Sequence, residues 1–427
     1  MVGCSILLRP VLTGVTGLER ETTLGQVPSI HADNTMSEQP AVPLRMIFLA
    51  FLQIGLTAYG MAILQKLRTL VIQRGWLTEE ETNEGLAMVQ LYPGPIMVDF
   101  TAYVGYRLRG VPGALLATLG FVLPAFVLVV ALSAVYFAGS DLPWVHKLFL
   151  GLEALVIGVI ANVTLSIGQQ ALKGRVEVFI ALVAFIALLF KVNAILVPLA
   201  ALALGAFTLA PGKGAASAMQ AAVTSIRRLV AVAALALAII ASALVAGLSG
   251  TELGQLAVSL FKIGSVAFGS GMAIISIMQA EVVQTHAWVS HREFLDGLAL
   301  GQITPGPILI TATFIGYKLG GLMGAALATF AIFSPSIAMT LVFTEFFGRI
   351  KHMKWVRGAL AGVLAAFVGL LAATLVQLGG ATLDSPLLLV FAVAAFVATR
   401  WFKLDIGWVF GGGLVFWAVL LIVGLTG

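Results

Sequence analysis

The chain holds a single cysteine, Cys4, so an internal disulfide and a cysteine-built metal cluster are both excluded. Charge is scarce as well. Only 10% of the residues are Asp, Glu, Lys or Arg, against about 25% in an ordinary globular domain. The sequence has no HExxH helix, no Walker loop, no nucleophile elbow and no dinucleotide fingerprint. Nor does any polar stretch have the length of a nucleotide-binding domain, which argues against an ATP-driven pump within this chain. These absences point away from an enzyme, and neither a metal nor a cofactor is expected.

Apolar residues are what the chain has in excess, at 60%. They fall in long runs, such as residues 113–138, 229–248 and 321–343. Runs of about 18 or more residues with few charges read as transmembrane helices, and about ten to thirteen such segments can be drawn. The expected class is therefore an all-α, polytopic membrane protein whose first partner is the lipid bilayer. The net charge of +5 is not a nucleic-acid signal. Lys and Arg sit in short loops between apolar runs, where they set topology.

Residues 1–45 are polar and mixed. They read as a disordered or over-extended tail, with Met36 a good alternative start, and the sequence leaves open whether residues 1–35 are translated. Residues 46–210 form a first repeat, 211–255 a linker plus an extra span, and 256–427 a second repeat.

The duplication is visible residue by residue. Gln90-Leu91-Tyr92-Pro93-Gly94-Pro95 matches Gln302-Ile303-Thr304-Pro305-Gly306-Pro307. Nine of fourteen positions are identical between residues 105–118 and 316–329. Pro124 matches Pro335, and Trp144-Val145 matches Trp355-Val356. The basic loops are exchanged. The loop after the first span carries Lys66, Arg68 and Arg74, whereas in the second half Arg349, Lys351, Lys354 and Arg357 lie in a different loop. Cytoplasmic loops collect Lys and Arg, so the halves are expected to be inverted in the membrane, an arrangement found in secondary transporters.

Pro-Gly-Pro cannot continue a helix, because proline lacks the backbone donor and clashes with the preceding turn. It is well suited to begin one. Each motif should end one segment and start another whose free N–H groups and positive dipole end attract an anion. At membrane depth such backbone survives only when buried in protein or lining a cavity. The alternative is a structural kink. Gln90, Gln302, Tyr92 and Thr304 flank the motifs with groups able to hydrogen-bond an oxyanion, or simply a neighbouring helix. Lys262 is the cation expected closest to such a site. Arg107 and Lys318 follow the helices that the motifs start, and read either as cations at a mouth or as topology-setting residues. Asp99 and Glu153 fall inside apolar runs, where charge is costly and tends to be functional. Neither has an acidic counterpart in the other repeat, which suits proton coupling or a salt bridge. Gly60, Gly269 and Gly271 read as close helix packing or as a second helix break.

On these residues the chain resembles the chromate transporter family. The second half carries the resemblance through Phe268-Gly269-Ser270-Gly271, Asp296-Gly297-Leu298-Ala299-Leu300-Gly301-Gln302, Pro305-Gly306-Pro307 and Gly316-Tyr317-Lys318. The first half carries it through Arg74-Gly75-Trp76-Leu77, Pro93-Gly94-Pro95 and Gly105-Tyr106-Arg107. Where the family usually has a Phe-Gly-Gly-Pro-like stretch after the first span, this chain reads Tyr59-Gly60-Met61-Ala62. The resemblance implies a multi-pass protein of the bacterial inner membrane that expels chromate and confers resistance. Sulfate or another tetrahedral oxyanion is the competing substrate, and the sequence leaves a homodimer open. A dianion leaving an inside-negative cell gains about 4.6 kcal/mol per 100 mV, twice the single-charge value. From other classes, a membrane-integral lipid enzyme would need an acidic cluster at the membrane surface, and Glu79-Glu80-Glu81 reads better as a solvated helix face. A purely structural subunit has no use for interrupted spans.

Overall fold

The computed structural model describes residues 42–57, 59, 62–139, 143–209, 226–267, 274–350 and 354–424. The expected tail up to residue 41, most of the linker (210–225), Gly60, Gly269 and Gly271 lie outside these residues. The described residues are helical, with no strand among them. In the first half run α1 (Leu44–Thr57), α2 (Ala62–Gln73), α3 (Glu79–Met88), α4 (Ile96–Gly139), α5 (Pro143–Ala171), α6 (Arg175–Leu189) and α7 (Leu196–Thr208). Helix α8 (Ile226–Leu248) follows the linker. The second half has α9 (Glu252–Ser265), α10 (Ile275–Gln279), α11 (His291–Ile303), α12 (Thr311–Ile350), α13 (Lys354–Thr382), α14 (Pro386–Arg400) and α15 (Ile406–Val423). Six helices, the two longest being α4 and α12, are long and apolar enough to cross a bilayer. Their lipid-compatible faces remain exposed; α8, for example, buries little beyond Val232 and Ile239.

A straight helix of the 44 residues in α4 would run about 66 Å, twice the roughly 30 Å of bilayer hydrocarbon. It does not run straight. At Arg109 (φ −142°, ψ 22°) and Gly110 (φ 64°, ψ −151°) the backbone leaves helical geometry. A Cβ placed on Gly105 would meet the Gly113 carbonyl and come within 2.8 Å of the Ala117 Cβ. Residues twelve apart in a continuous helix are about 18 Å apart, so the chain reverses and α4 is a hairpin of a short and a long arm. Helix α12 repeats this at Gly320 and Gly321 (φ 57°, ψ −142°), with Gly316 against the Gly324 carbonyl and Ala328. Only glycine adopts that positive-φ, extended-ψ geometry cheaply, which accounts for Gly110 and Gly321.

The same packed unit is built twice. Gly55 of α1 lies against the Phe121 carbonyl and Pro124 of α4, and Gly264 of α9 lies against the Ile332 carbonyl and Pro335 of α12. The two halves then interlock, with α4 against α12 and α6 and α7 against α13, while α14 and α15 pack on α5. Small residues allow these close approaches: Gly205 meets Gly358 and Gly362, Gly369 meets Ala181, and Gly158 meets Ala392 and Ala395.

Two single-residue differences between the halves appear as irregular turns. Between Gly271 and Trp288 the second half is one residue longer than between Gly60 and Trp76, and a π-turn at Ala280–Thr285 holds the extra residue. Between Pro307 and Gly316 it is one residue shorter than between Pro95 and Gly105. There a 3-10 turn, Ile308–Ile310, replaces the first α-turn.

Candidate functional site

Both Pro-Gly-Pro segments are turns between helices. Helix α3 ends at Met88 and α4 starts at Ile96. Helix α11 ends at Ile303, and Pro305-Gly306-Pro307 leads into the 3-10 turn and α12. The last prolines open the new helices. The N–H groups of Val98 and Asp99 donate to the Pro95 carbonyl at 2.8 and 3.0 Å, and that of Ile310 donates to the Pro307 carbonyl at 3.0 Å. Gly306 has φ 124°, which again suits glycine.

The two turns pack reciprocally. Gly306 of the second turn lies against Ala125 on the long arm of α4. On the first turn, Asp99 faces Ser336 and Thr340 on the long arm of α12, and Ser336 is the residue that corresponds to Ala125. Each turn is thus closed by the other half's hairpin, one residue past that hairpin's proline.

The surroundings of the first turn are polar. The Tyr92 hydroxyl, fully buried, donates to Thr340 Oγ1 at 2.8 Å, and its ring packs on Phe343. The Asp99 carboxyl folds over Gly94, where a Cβ would collide with it. Asp99 is 0% exposed, and neither of its carboxyl oxygens has a hydrogen-bond partner at normal distance. Ser336 Oγ is also unpartnered, while Thr340 Oγ1 donates to the Ser336 carbonyl at 2.9 Å. A buried carboxyl without donors costs several kcal/mol when ionised, so this group calls for a proton or a cationic or donor partner. Gln90, by contrast, is exposed at the end of α3.

The second turn is less polar. Thr304 is buried and donates to the Gly301 carbonyl of its own helix at 3.1 Å. Gln302 is buried. Beside this turn lies a small, mostly apolar cavity lined by Ile275, Met278, Leu298, Ile308 and Thr311 among others. Positions matching Ser336 and Thr340 are Ala125 and Val129, and the first turn of α12 holds no acid to match Asp99.

Arg107 and Lys318 occupy equivalent positions and make equivalent contacts. Arg107 Nη2 reaches Glu81 Oε1 at 2.6 Å, and Lys318 Nζ reaches Glu293 Oε2 at 2.6 Å. Both carboxylates belong to capping boxes, Thr78 with Glu81 on α3 and Ser290 with Glu293 on α11. Burial alone would raise the Glu293 carboxyl. The hydrogen bonds from Lys318 and Ser290 outweigh it and hold the group below the ordinary carboxylate range. These cations therefore tie the short arm of each hairpin to the helix before the turn. Lys262 is exposed on the last turn of α9, where a cation complements the helix dipole.

Glu153 lies in a second buried cluster, apart from both turns in sequence. Arg292 Nε is 3.6 Å from Glu153 Oε1, and Thr382 Oγ1 donates to Glu153 Oε2 at 3.3 Å. Asp296 of α11 lies alongside Glu153, and the Tyr136 hydroxyl donates to Asp296 Oδ2 at 2.6 Å. Asp296, Tyr136, Arg292, Ser336 and Thr340 were not among the candidates from sequence. Tyr136 and Asp296 are 160 positions apart, and no spacing links them. The available signal was that Asp296 opens one of the strongest motifs of the second repeat and that Ser336 directly follows Pro335, the match to Pro124. Among the described residues, no group of three or more His, Cys, Asp or Glu is arranged to hold a metal.

A family model described as "Chromate transporter" matches residues 45–206 and again residues 254–424. The chain is 31% identical to an uncharacterized transporter of Methanocaldococcus jannaschii over 335 residues, 78% of this chain and 83% of the relative. It is 31% identical to the chromate transport protein of Cupriavidus metallidurans over 387 residues, 89% of this chain and 94% of the relative. With the chromate transport protein of Pseudomonas aeruginosa it shares 32% identity over 372 residues, 85% and 88% of the two chains. No solved structure matches the chain.

Proposed function

Because the chain belongs to the chromate transporter family, we propose that it is a secondary transporter that expels chromate across the cytoplasmic membrane, with the oxyanion held between the two Pro-Gly-Pro turns. The carrying observation is the reciprocal closure of each turn by the other half's hairpin. Such a joint opens and closes when the halves rock against one another, which is what alternating access between inverted repeats requires. The anion is bound by the helix starts after Pro93-Gly94-Pro95 and Pro305-Gly306-Pro307, with Tyr92, Gln302 and Thr304 as hydrogen-bonding neighbours. The exposed Gln90 and Lys262 stand outside that set. Asp99 is the coupling group: ionised, it repels the anion from the first turn; protonated, it becomes a donor to it. Arg107 and Lys318, through Glu81 and Glu293, hold the short arms during rocking. Sulfate, tetrahedral and doubly charged as well, is the competitor to be measured beside chromate.

The test is chromate flux into inside-out vesicles that contain the protein, with and without excess sulfate. Accumulation driven by the membrane potential or a pH gradient, and abolished in Gly94→Leu/Gly306→Leu, supports the reading. Equal flux in that folded, inserted variant refutes a site at the turns. No chromate flux in the wild type, with sulfate carried instead, refutes chromate as the substrate.

A further inference from the structure

Glu153 and Asp296 are 1% and 2% exposed and come from different halves, on α5 and α11. Their carboxyls lie within hydrogen-bonding reach of one another, yet Asp296 Oδ1 has no donor and Glu153 Oε1 has none nearer than Arg292 Nε at 3.6 Å. Two acceptors that face each other are satisfied by one proton placed between them. The charge count leads to the same answer. Arg292 offers one positive charge, 3.6 Å from Glu153, and among the described residues no other cation forms an ion pair with either carboxyl. One carboxylate is thereby neutralised, and a second negative charge, buried in a membrane protein, is left without compensation. The other charged groups around the pair do not supply it. His146 lies near Arg292 and forms no ion pair with either acid among the described residues, and Asp384 and Glu293 add negative charge from neighbouring elements. The remaining contacts, Tyr136 on Asp296 and Thr382 on Glu153, are neutral donors.

We propose that Glu153 and Asp296 share a single proton in this conformation, and that separating the halves releases it, so that the pair ties proton movement to the conformational cycle. This rests on the rocking motion proposed above. It does not depend on which anion is carried. The bridging atoms are contributed from both sides: Glu153 and Tyr136 by the first half, Asp296, Arg292 and Thr382 by the second. Rocking moves the carboxyls apart. Glu153 then keeps Arg292 or water, Asp296 meets water, and the proton has no second acceptor to hold it. A shared proton of this kind follows the same rule that makes two adjacent carboxylates ionise one at a time.

Infrared difference spectroscopy of the purified, full-length protein in lipid at neutral pH reads the proton directly. Wild type minus Asp296→Asn and wild type minus Glu153→Gln should each show one carboxylic-acid C=O band, present in the wild type and lost from the variant, that moves in D2O. Tyr136→Phe removes a hydrogen bond to Asp296 without removing a carboxyl, so the band should shift and persist. A band retained in both acid variants, or one that Tyr136→Phe leaves unmoved, overturns the proposal. Should the acid variants fail to fold, the Tyr136→Phe shift decides alone. Chromate and sulfate flux measured on the same preparations separates the two ideas. A band that behaves as stated, in a protein carrying neither anion, removes the substrate reading and leaves the shared proton standing.

Discussion

Tyr92→Phe should loosen the closed state by a calculable amount. The hydroxyl of Tyr92 meets Thr340 Oγ1 at 2.8 Å. This contact joins the first turn to the other half's hairpin, and it must break if the halves separate there. Removing it deletes one neutral hydrogen bond, worth about 0.5–1.5 kcal/mol net, and creates no void, because the ring still packs on Phe343. Thr340 keeps its bond to the Ser336 carbonyl. At 1.36 kcal/mol per tenfold, the open population should rise by about 2- to 13-fold. The single native cysteine makes an accessibility assay simple. With Cys4→Ser as background, Ser336→Cys places a thiol at a position with 0% exposure, which a polar alkylating reagent reaches only through opening. The alkylation rate should rise by the stated factor in Tyr92→Phe, while a cysteine at the exposed position 262 reacts at an unchanged rate. In a Thr340→Val background Tyr92→Phe should have no further effect, since the pair has already lost its bond. An unchanged rate, or an effect of equal size in the Thr340→Val background, refutes the assignment of this contact to the closing of the turn.

Three further outcomes are expected. Gly110→Ala and Gly321→Ala meet nothing within 4 Å, yet each should cost about 1–3 kcal/mol because of backbone geometry alone; thermal unfolding in detergent checks this against Gly380→Ala, which also meets open space but lies in a regular helix and should not destabilise. Lys318→Glu should destabilise modestly, and the exchange Lys318→Glu/Glu293→Lys should recover part of the loss, with a coupling of about 0.2–1 kcal/mol for so exposed a pair, read as a double-mutant cycle in the same unfolding assay. Asp99→Asn mimics the neutral carboxyl and should keep chromate binding while removing its dependence on pH; binding lost at every pH would show that Asp99 does something other than carry a proton.

The membrane class and the helix break before Ile96 were legible because each follows from local chemistry. Apolar runs require a bilayer, and Pro-Gly-Pro removes two donors within three residues. The hairpins were not. Residues 96–139 read as a helix started by Pro-Gly-Pro and followed by Arg107, then a long apolar run from Gly113, but nothing in Arg109-Gly110 announces that the two reverse on each other, because glycine is equally at home inside a membrane helix. Its signal was the repetition of a Gly at the matching position, Gly321, with Gly105 and Gly113 mirrored by Gly316 and Gly324. At the site, Asp99 and Glu153 stood out by charge. Their surroundings did not, since Ser336, Thr340 and Asp296 approach from the other half across more than a hundred residues. Lys262 was chosen for sign and position along the chain, but a helix surface has two sides, and periodicity about so isolated a charge does not choose between them.

The two halves share a backbone and differ in what they present at the turns. The first turn is closed by Ser336 and Thr340 around Asp99 and Tyr92, whereas at the second Ala125, Val129 and Thr304 stand for Ser336, Thr340 and Tyr92, and the first turn of α12 holds no acid. The equivalent ion pairs at Arg107 and Lys318, the equivalent glycine contacts and the equivalent capping boxes all lie in the scaffold. Symmetry is thus retained where the hairpin is held and lost where a buried group has to be satisfied. A carrier that needs two similar packing arrangements to rock between requires the first property. A carrier with one set of ionisable groups to couple requires the second. Variants at matching scaffold positions should therefore behave alike, and variants at matching turn positions should not: Gly105→Ala and Gly316→Ala are expected to destabilise to similar degrees, whereas Tyr92→Phe and Thr304→Val should differ, the latter losing only a bond to its own helix. Equal effects at the turns would mean that the polar groups around the first are incidental to its closing.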